Sequence, residues 1–251
     1  MQIVKIPVIN PTSRIATVLH TMYLILLPVL VIGMVWRGFS WIAVLTVLLS
    51  KWRMMAVRPR YWLANIRANL VDIIVGLSIV GFMNDFPRIR YMLIWGAVYA
   101  FWLIAIKPRS SVFMIGLQAI IAQGLGLVEL FGSHSQLNQV FLVSAAWLIC
   151  FSSARHFLNS FEDDANRSLS HVWGLFGAEM ALILGHWNII YAGIIPQIAL
   201  VLSLIGYALG IGYYLHKTRG LRQGLRNQLI IFCVVVIVII LLQSNWQAQI
   251  Y

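Results

Sequence analysis

The chain has 251 residues, of which 61% are hydrophobic and only 10% charged, with a mean hydropathy of +0.87. Soluble domains carry roughly a quarter charged residues, so this much apolar surface has nowhere to be hidden in water. The net charge of +11 would suit nucleic acid in a soluble protein, but here the cations stand beside apolar runs. Orientation in a bilayer and contact with anionic headgroups account for them there, and nucleic acid is not an expected partner.

The opening stretch Met1 to Arg14 has no small-residue cleavage site ahead of the long run from Ile15, so the first span is expected to be retained. At about 20 apolar residues per helix, spans are predicted at 15–36, 40–55, 68–84, 90–106, 112–131, 137–154, 169–186, 189–215 and 228–244. Gly38 and Ser40 leave room only for a tight turn between the first two, which therefore form a hairpin, and Lys51 and Arg53 snorkel from its far end. Arg58-Pro59-Arg60 breaks the helix, because proline has no N–H to donate and restricts the residue before it.

Charge then sorts the gaps. Lys5, Arg14, Lys51, Arg53, Arg58, Arg60, Arg67, Lys107, Arg109, Arg155, Arg167, Lys217, Arg219, Arg222 and Arg226 fall on one side, whereas Arg37, Arg88 and Arg90 fall on the other. Lys- and Arg-rich loops stay inside, which predicts a cytoplasmic N-terminus and an outer C-terminus. Trp36, Trp41, Trp52, Trp62, Trp187 and Trp246 lie near span ends, as an interfacial aromatic belt requires. The expected fold is all-α: a polytopic helical membrane protein of about nine spans, a single bundle over residues 1–251, in an inner (plasma) membrane of the bacterial type. Its partners are the bilayer, anionic headgroups at the cytoplasmic face, and a second membrane protein or further copies of the chain. Cys150 and Cys233 lie inside apolar runs, without the spacing of a disulfide framework or a metal site.

Only seven carboxylates are present, and ionisable groups within spans are expensive enough to mark candidate sites. In the seventh span, His171, Glu179 and His186 project within about 80° of one another, near Gly174, Ala178 and Gly185. With Glu129 of another span, this face is a candidate proton or ion pathway, set against a small-residue face that merely packs on neighbouring helices. In the third span, Asn65, Asn69 and Asp72 recur on one stripe that Gly76 continues, and Asp72 either pairs with Arg67 or accepts from a neighbouring helix.

Arg155 to Arg167 is the most polar stretch, and if the sixth helix continues through it, His156, Asn159 and Asp163 share a face beside Glu162 and Asp164. Its hard oxygen ligands, with the Asn65, Asn69 and Asp72 stripe on the same cytoplasmic side, suit Mg²⁺ bound with a phosphate substrate. The alternative is a solvated, charge-balanced turn. The stretch Asn159 to Gly177, NSFEDDANRSLSHVWGLFG, resembles the second aspartate-rich motif of the UbiA-type intramembrane prenyltransferases. That resemblance implies nine spans with cytoplasmic motif loops after helices two and six. The region corresponding to the family's first motif, NIRANLVD, departs from it in holding a single acid, Asp72.

Three functions follow as expectations: a small transporter using the His171/Glu179/His186 face, an enzyme acting on a lipid or isoprenoid phosphate at the cytoplasmic boundary, or a scaffold subunit. They differ in depth. Transport needs polar groups across the whole membrane, an interfacial enzyme needs them at one boundary, and a scaffold needs a small-residue stripe facing lipid.

Overall fold

A computed structural model describes residues 14–51, 58–133, 137–185, 189–191, 195–220 and 222–245. Among the described residues there are nine α-helices: α1 Arg14–Trp36, α2 Ser40–Leu49, α3 Trp62–Asp85, α4 Ile89–Phe101, α5 Val112–Ser133, α6 Gln139–Leu158, α7 Asn166–Leu184, α8 Gln197–Arg219 and α9 Gln223–Gln243. Six of these helical segments, from the one containing α3 onward and excluding α7, are long and apolar enough to cross a membrane. The protein is an integral membrane protein by this criterion. α7 falls short because of its polar residues, and the described apolar part of α1 and the whole of α2 are shorter.

Local chemistry sets the boundaries. Gly38 at φ +79° makes the turn between α1 and α2, a conformation that glycine adopts without a Cβ penalty. The second predicted span ends as a helix at Leu49 rather than residue 55, and residues 52–57 lie outside the described part. Arg58 is extended ahead of Pro59, as a residue before proline prefers, and a 3-10 turn, Pro59–Tyr61, leads into α3 six residues earlier than predicted. The predicted span at 189–215 is corrected as well. A small antiparallel hairpin, β1 Ile190–Tyr191 and β2 Ile195–Pro196, occupies its start, with β3 Ser244–Asn245 on the other side of β1. Pro196 then stands just ahead of the first residue of α8, where its missing N–H costs nothing.

Side-chain contacts define two ends of the bundle. At one end Lys51 after α2 and Lys107 after α4 meet Asp72 of α3, His156 of α6 meets Gln118 of α5, and Lys217 of α8 meets Asp163 before α7. At the opposite end Ser40 donates to Asn84, Ser133 to Asp85, and Tyr191 to Gln243. Most of the cations belong to the first end, called the basic end below. Trp36, Trp41 and Trp62 lie exposed near helix ends, while Trp52, Trp187 and Trp246 lie outside the described residues. The core runs through α1 to α8, with Val31, Val47, Val75, Ile79, Met83, Leu127 and Leu202 fully buried. The closest helix pair is α6 and α7, where Gly177 of α7 leaves space that Cys150 of α6 fills: a Cβ there would lie 2.5 Å from Sγ.

Candidate functional site

The Asp72 group begins with an irregularity in α4. Beyond Phe101 the helix widens into a π-helical turn, Trp102–Ile106, closed by the Lys107 N–H on the Trp102 carbonyl at 2.9 Å. In an α-helix, residues five apart stand about 140° apart around the axis. The wider turn brings them nearly above one another, so that Trp102 and Lys107 reach the same acid. The Trp102 indole Nε1 donates to Asp72 Oδ1 at 3.0 Å, and Oδ2 receives Lys107 Nζ at 2.5 Å and Lys51 Nζ at 3.0 Å. Asp72 and Lys51 are 9% and 8% exposed. Of the two alternatives, Asp72 accepts from a neighbouring helix, through Trp102, and its cationic partners are two lysines, 21 residues before and 35 after the acid in the chain.

Gln118 of α5 links this group to α6. Its Nε2 donates to the carbonyls of Ile106 and Arg109, at 2.8 and 3.0 Å, and its Oε1 lies 2.8 Å from His156 Nε2. Carbonyls freed where the π turn ends are thus capped by a side chain. Within the asparagine stripe, Asn69 Nδ2 donates to the Asn65 carbonyl at 2.9 Å.

A second polar group sits at the same end between α6, α7 and α8. α6 stops at Leu158, with exposed Asn159 as its C-cap, so Asp163 belongs to a loop and not to a continued helical face with His156. Asp163 Oδ2 accepts from Lys217 Nζ at 2.6 Å and Tyr213 Oη at 2.9 Å, and Oδ1 accepts from the Ala165 N–H at 3.0 Å. The Lys217 hydrogen bond, then the Ala165 amide and the Tyr213 hydroxyl, push the Asp163 carboxyl down to about 2. Buried Asn166 ties the loop to helix ends by donating to the Leu158 and Phe161 carbonyls at 2.9 and 2.6 Å. Glu162 and Asp164 point outward and are exposed.

Beside this loop a cavity of about 470 Å³ opens on one side between α5, α6, α7 and α8. Its walls are almost wholly apolar, with Phe113, Phe157, Leu169 and Val172 among them, and Gly116, Gly206 and Gly210 give it depth. Tyr213 lies on its wall near the basic end. Gln123 marks the far end, where it accepts from Trp173 Nε1 at 2.9 Å and donates to the Leu202 carbonyl at 3.0 Å. From Val112 to Gln123 along α5 is about 17 Å, roughly half of a 30 Å hydrocarbon core and therefore one leaflet deep. The hydroxyls of Ser153 and Ser203 lie on this wall without a hydrogen-bond partner among the described residues.

The face predicted on α7 is arranged differently. Asn166, Ser170, Gly174, Gly177 and Ala181 are the buried residues of α7, with buried Gly185 just after it, which centres the packed side about 170° away from Glu179 on a helical wheel. Glu179 is exposed, with no hydrogen bond or ion pair to a described residue, and does not face the bundle interior as expected. His171 is half-buried against the rings of Phe151 and Trp147, 4.7 and 6.1 Å between centroids. His186 lies outside the described residues. Glu129 is half-buried and packs on Gly81 of α3, where a Cβ would overlap its carboxylate.

Asp72 and the 162–164 acids share no ion-pair partner among the described residues, and neither Asp72 nor any of the three is on the wall of the groove. Among the described residues no group of three or more His, Cys, Asp or Glu side chains is placed to hold a metal ion. The donor sets do not suit Mg²⁺ either, because Asp72 is already met by two ammonium groups and Asp163 by one, where a divalent cation needs free oxygens. No protein-family description, curated protein or solved structure matches the chain.

Proposed function

We propose that the chain spans the membrane nine times, with its N-terminus cytoplasmic and its C-terminus outside, and that it takes the apolar chain of a lipid into the groove between α5 and α8. The head group then rests at the basic boundary beside Asp163, Tyr213 and Lys217. The observation that carries this reading is the groove itself, apolar, open on one side and one leaflet long, with its polar group at one end only. Polar residues clustered at a boundary favour a lipid-handling protein over a transporter, which needs them through the full depth. An acid held near 2 is far from the pH at which a general base works. The Asp163 group thus binds and orients a head group by hydrogen bonds, and proton transfer is not its task.

The transport reading keeps one support, Glu129 packed between α5 and α3. It would need a path from Glu129 to the basic end, and Glu129→Gln would then remove proton-coupled uptake in vesicles.

A diazirine-bearing acyl lipid tests the groove. Reconstituted protein is irradiated and the labelled positions mapped, with the exposed α9 residues Ile230 to Val235 as a reference for ordinary bilayer contact. Label is expected to concentrate on Leu169 to Trp173 and Ser203 to Tyr214. Gly210→Leu should remove it there and leave α9 unchanged, since a Cβ at Gly210 meets nothing nearer than Phe157 at 3.9 Å. Labelling of the groove no denser than α9, and indifferent to Gly210→Leu, overturns the reading.

A further inference from the structure

Two ammonium groups on one carboxylate leave the Asp72 cluster with an excess positive charge, with Asp72 and Lys51 buried and Lys107 opening toward the surface, and buried charge needs a partner. The chain does not supply it. Of the other six acids, Asp163 is held by Lys217, Glu162 and Asp164 are exposed on the α6–α7 loop, and Glu179 is exposed on α7. Asp85 is at the opposite end with Ser133, and Glu129 packs on Gly81. Every Asp and Glu is thereby placed, and residues 1–13 and 52–57, next to the described ends of α1 and α2, contain neither.

Two further features point to an occupant. The Tyr99 hydroxyl is 1% exposed and has no hydrogen-bond partner among the described residues. It lies against Gly76, one helical turn beyond Asp72. A slot of about 290 Å³ between α1 and α2, walled by Tyr23, Leu27, Leu30, Thr46 and Leu49, ends at Ser50, the residue before Lys51. Lys107 is the open arm of the cluster, its side chain 34% exposed against 7% for Lys51.

We propose that Lys51 and Lys107, brought together on Oδ2 of Asp72, form an anion site that receives a phosphate group, either on a lipid head or free, at the basic end of the bundle. Asp72 positions the two lysines and takes no part in the contact. The charge that remains after pairing is what attracts the anion, and the α1–α2 slot gives a lipid's chain a place to lie. This site is separate from the α5–α8 groove and stands whether or not the groove binds lipid.

The purified full chain, in phosphate-free detergent, is titrated with inorganic phosphate and, in nanodiscs, compared between phosphatidic acid and phosphatidylcholine, with thermal unfolding and ³¹P line width as readouts. Stabilisation and broadening by both phosphate sources identify an anion site open to either. An effect of phosphatidic acid alone identifies a lipid head group. Lys107→Gln should weaken the effect about tenfold, the loss of one charge-assisted hydrogen bond. Lys107→Arg should retain it, and Arg226→Gln, at the same end on α9, should leave it unchanged. If neither source stabilises or broadens in the wild-type protein, or if Lys107→Gln and Arg226→Gln weaken it equally, the site does not exist; the wild-type ³¹P result decides even where a variant fails to fold.

Discussion

The Asp72 and Asp163 groups use nearly the same parts at the same end of the bundle. Each is a carboxylate with lysine on one oxygen and an aromatic donor, Trp102 Nε1 or Tyr213 Oη. They differ in burial and balance. Asp72 has two lysines and is almost dry, whereas Asp163 has one, sits in a loop, and adds a backbone amide. Identical pairings therefore do different work. Removing water from Asp72 and Lys51 makes the first group a stability element, while water around the second screens it and leaves it adjustable.

The largest effect expected from this contrast is at Asp72. Asp72→Ala leaves Lys51 and Lys107 facing each other with no acid between them, and breaking a buried pair costs about 3–5 kcal/mol. Reversible unfolding in mixed micelles measures it, and a loss under about 1 kcal/mol would show that the cluster is wetter than its burial implies. Next is Gly177→Leu, which places a side chain where Cys150 already stands. Overpacking of this kind costs about 1–3 kcal/mol. Because it parts α6 from α7, it should also disturb the Asp163 loop while leaving Asp72 with its lysines, a difference readable as faster hydrogen exchange at Ala165 than at Lys107.

Smaller effects concern the exposed group. Lys217→Gln removes the strongest of the interactions that hold the Asp163 carboxyl down, so a carbon-13 titration should find that carboxyl moved up from about 2 toward the ordinary aspartate value. Asp163→Asn should change stability less than Asp72→Ala does. The pH dependence has a definite sign: with the folded carboxyl lowered, its contribution is present above the unfolded value near 3.9 and is lost as pH falls toward about 2. Between pH 5 and 8 the loop's protection should stay flat. A transition in that window, in the wild-type loop, would assign the anchoring to another group.

The apolar runs and the sorting of cations made most helices legible, because length and charge at a bilayer boundary act on the sequence directly. Spans α3 and α8 shifted where short polar or proline-containing stretches joined or left the helix, at Trp62 and Pro196. The site was harder to read. Asp72 stood out as an acid in an apolar run, but Lys51 and Lys107 come from other helix ends, and nothing in a single helix's periodicity points to them. Widening of α4 at Trp102 leaves no mark in composition. On α7 the wheel was drawn through its polar residues, whereas Gly177 and Ala181, which pack on α6, determine which way the helix faces. Gln118, Gln123 and Tyr213 were missed entirely, and Lys217 was read only as an orienting cation; they are common types at unremarkable positions, and only the fold gives them partners.

The widened turn of α4 has one more consequence, for the chain's tolerance of insertions and deletions. Loss of a single residue between Trp102 and Lys107 would close the turn into an ordinary helix and leave the two, then four apart, on one face, whereas gain of a residue would swing everything after it by about 100°. Lys107 would turn away from Asp72, and the carbonyls that Gln118 caps would turn with it. A point substitution in this stretch trims one contact, but one added residue moves a whole set of contacts together. The number of residues from Trp102 to Lys107 is thus as much a part of the site as their identity.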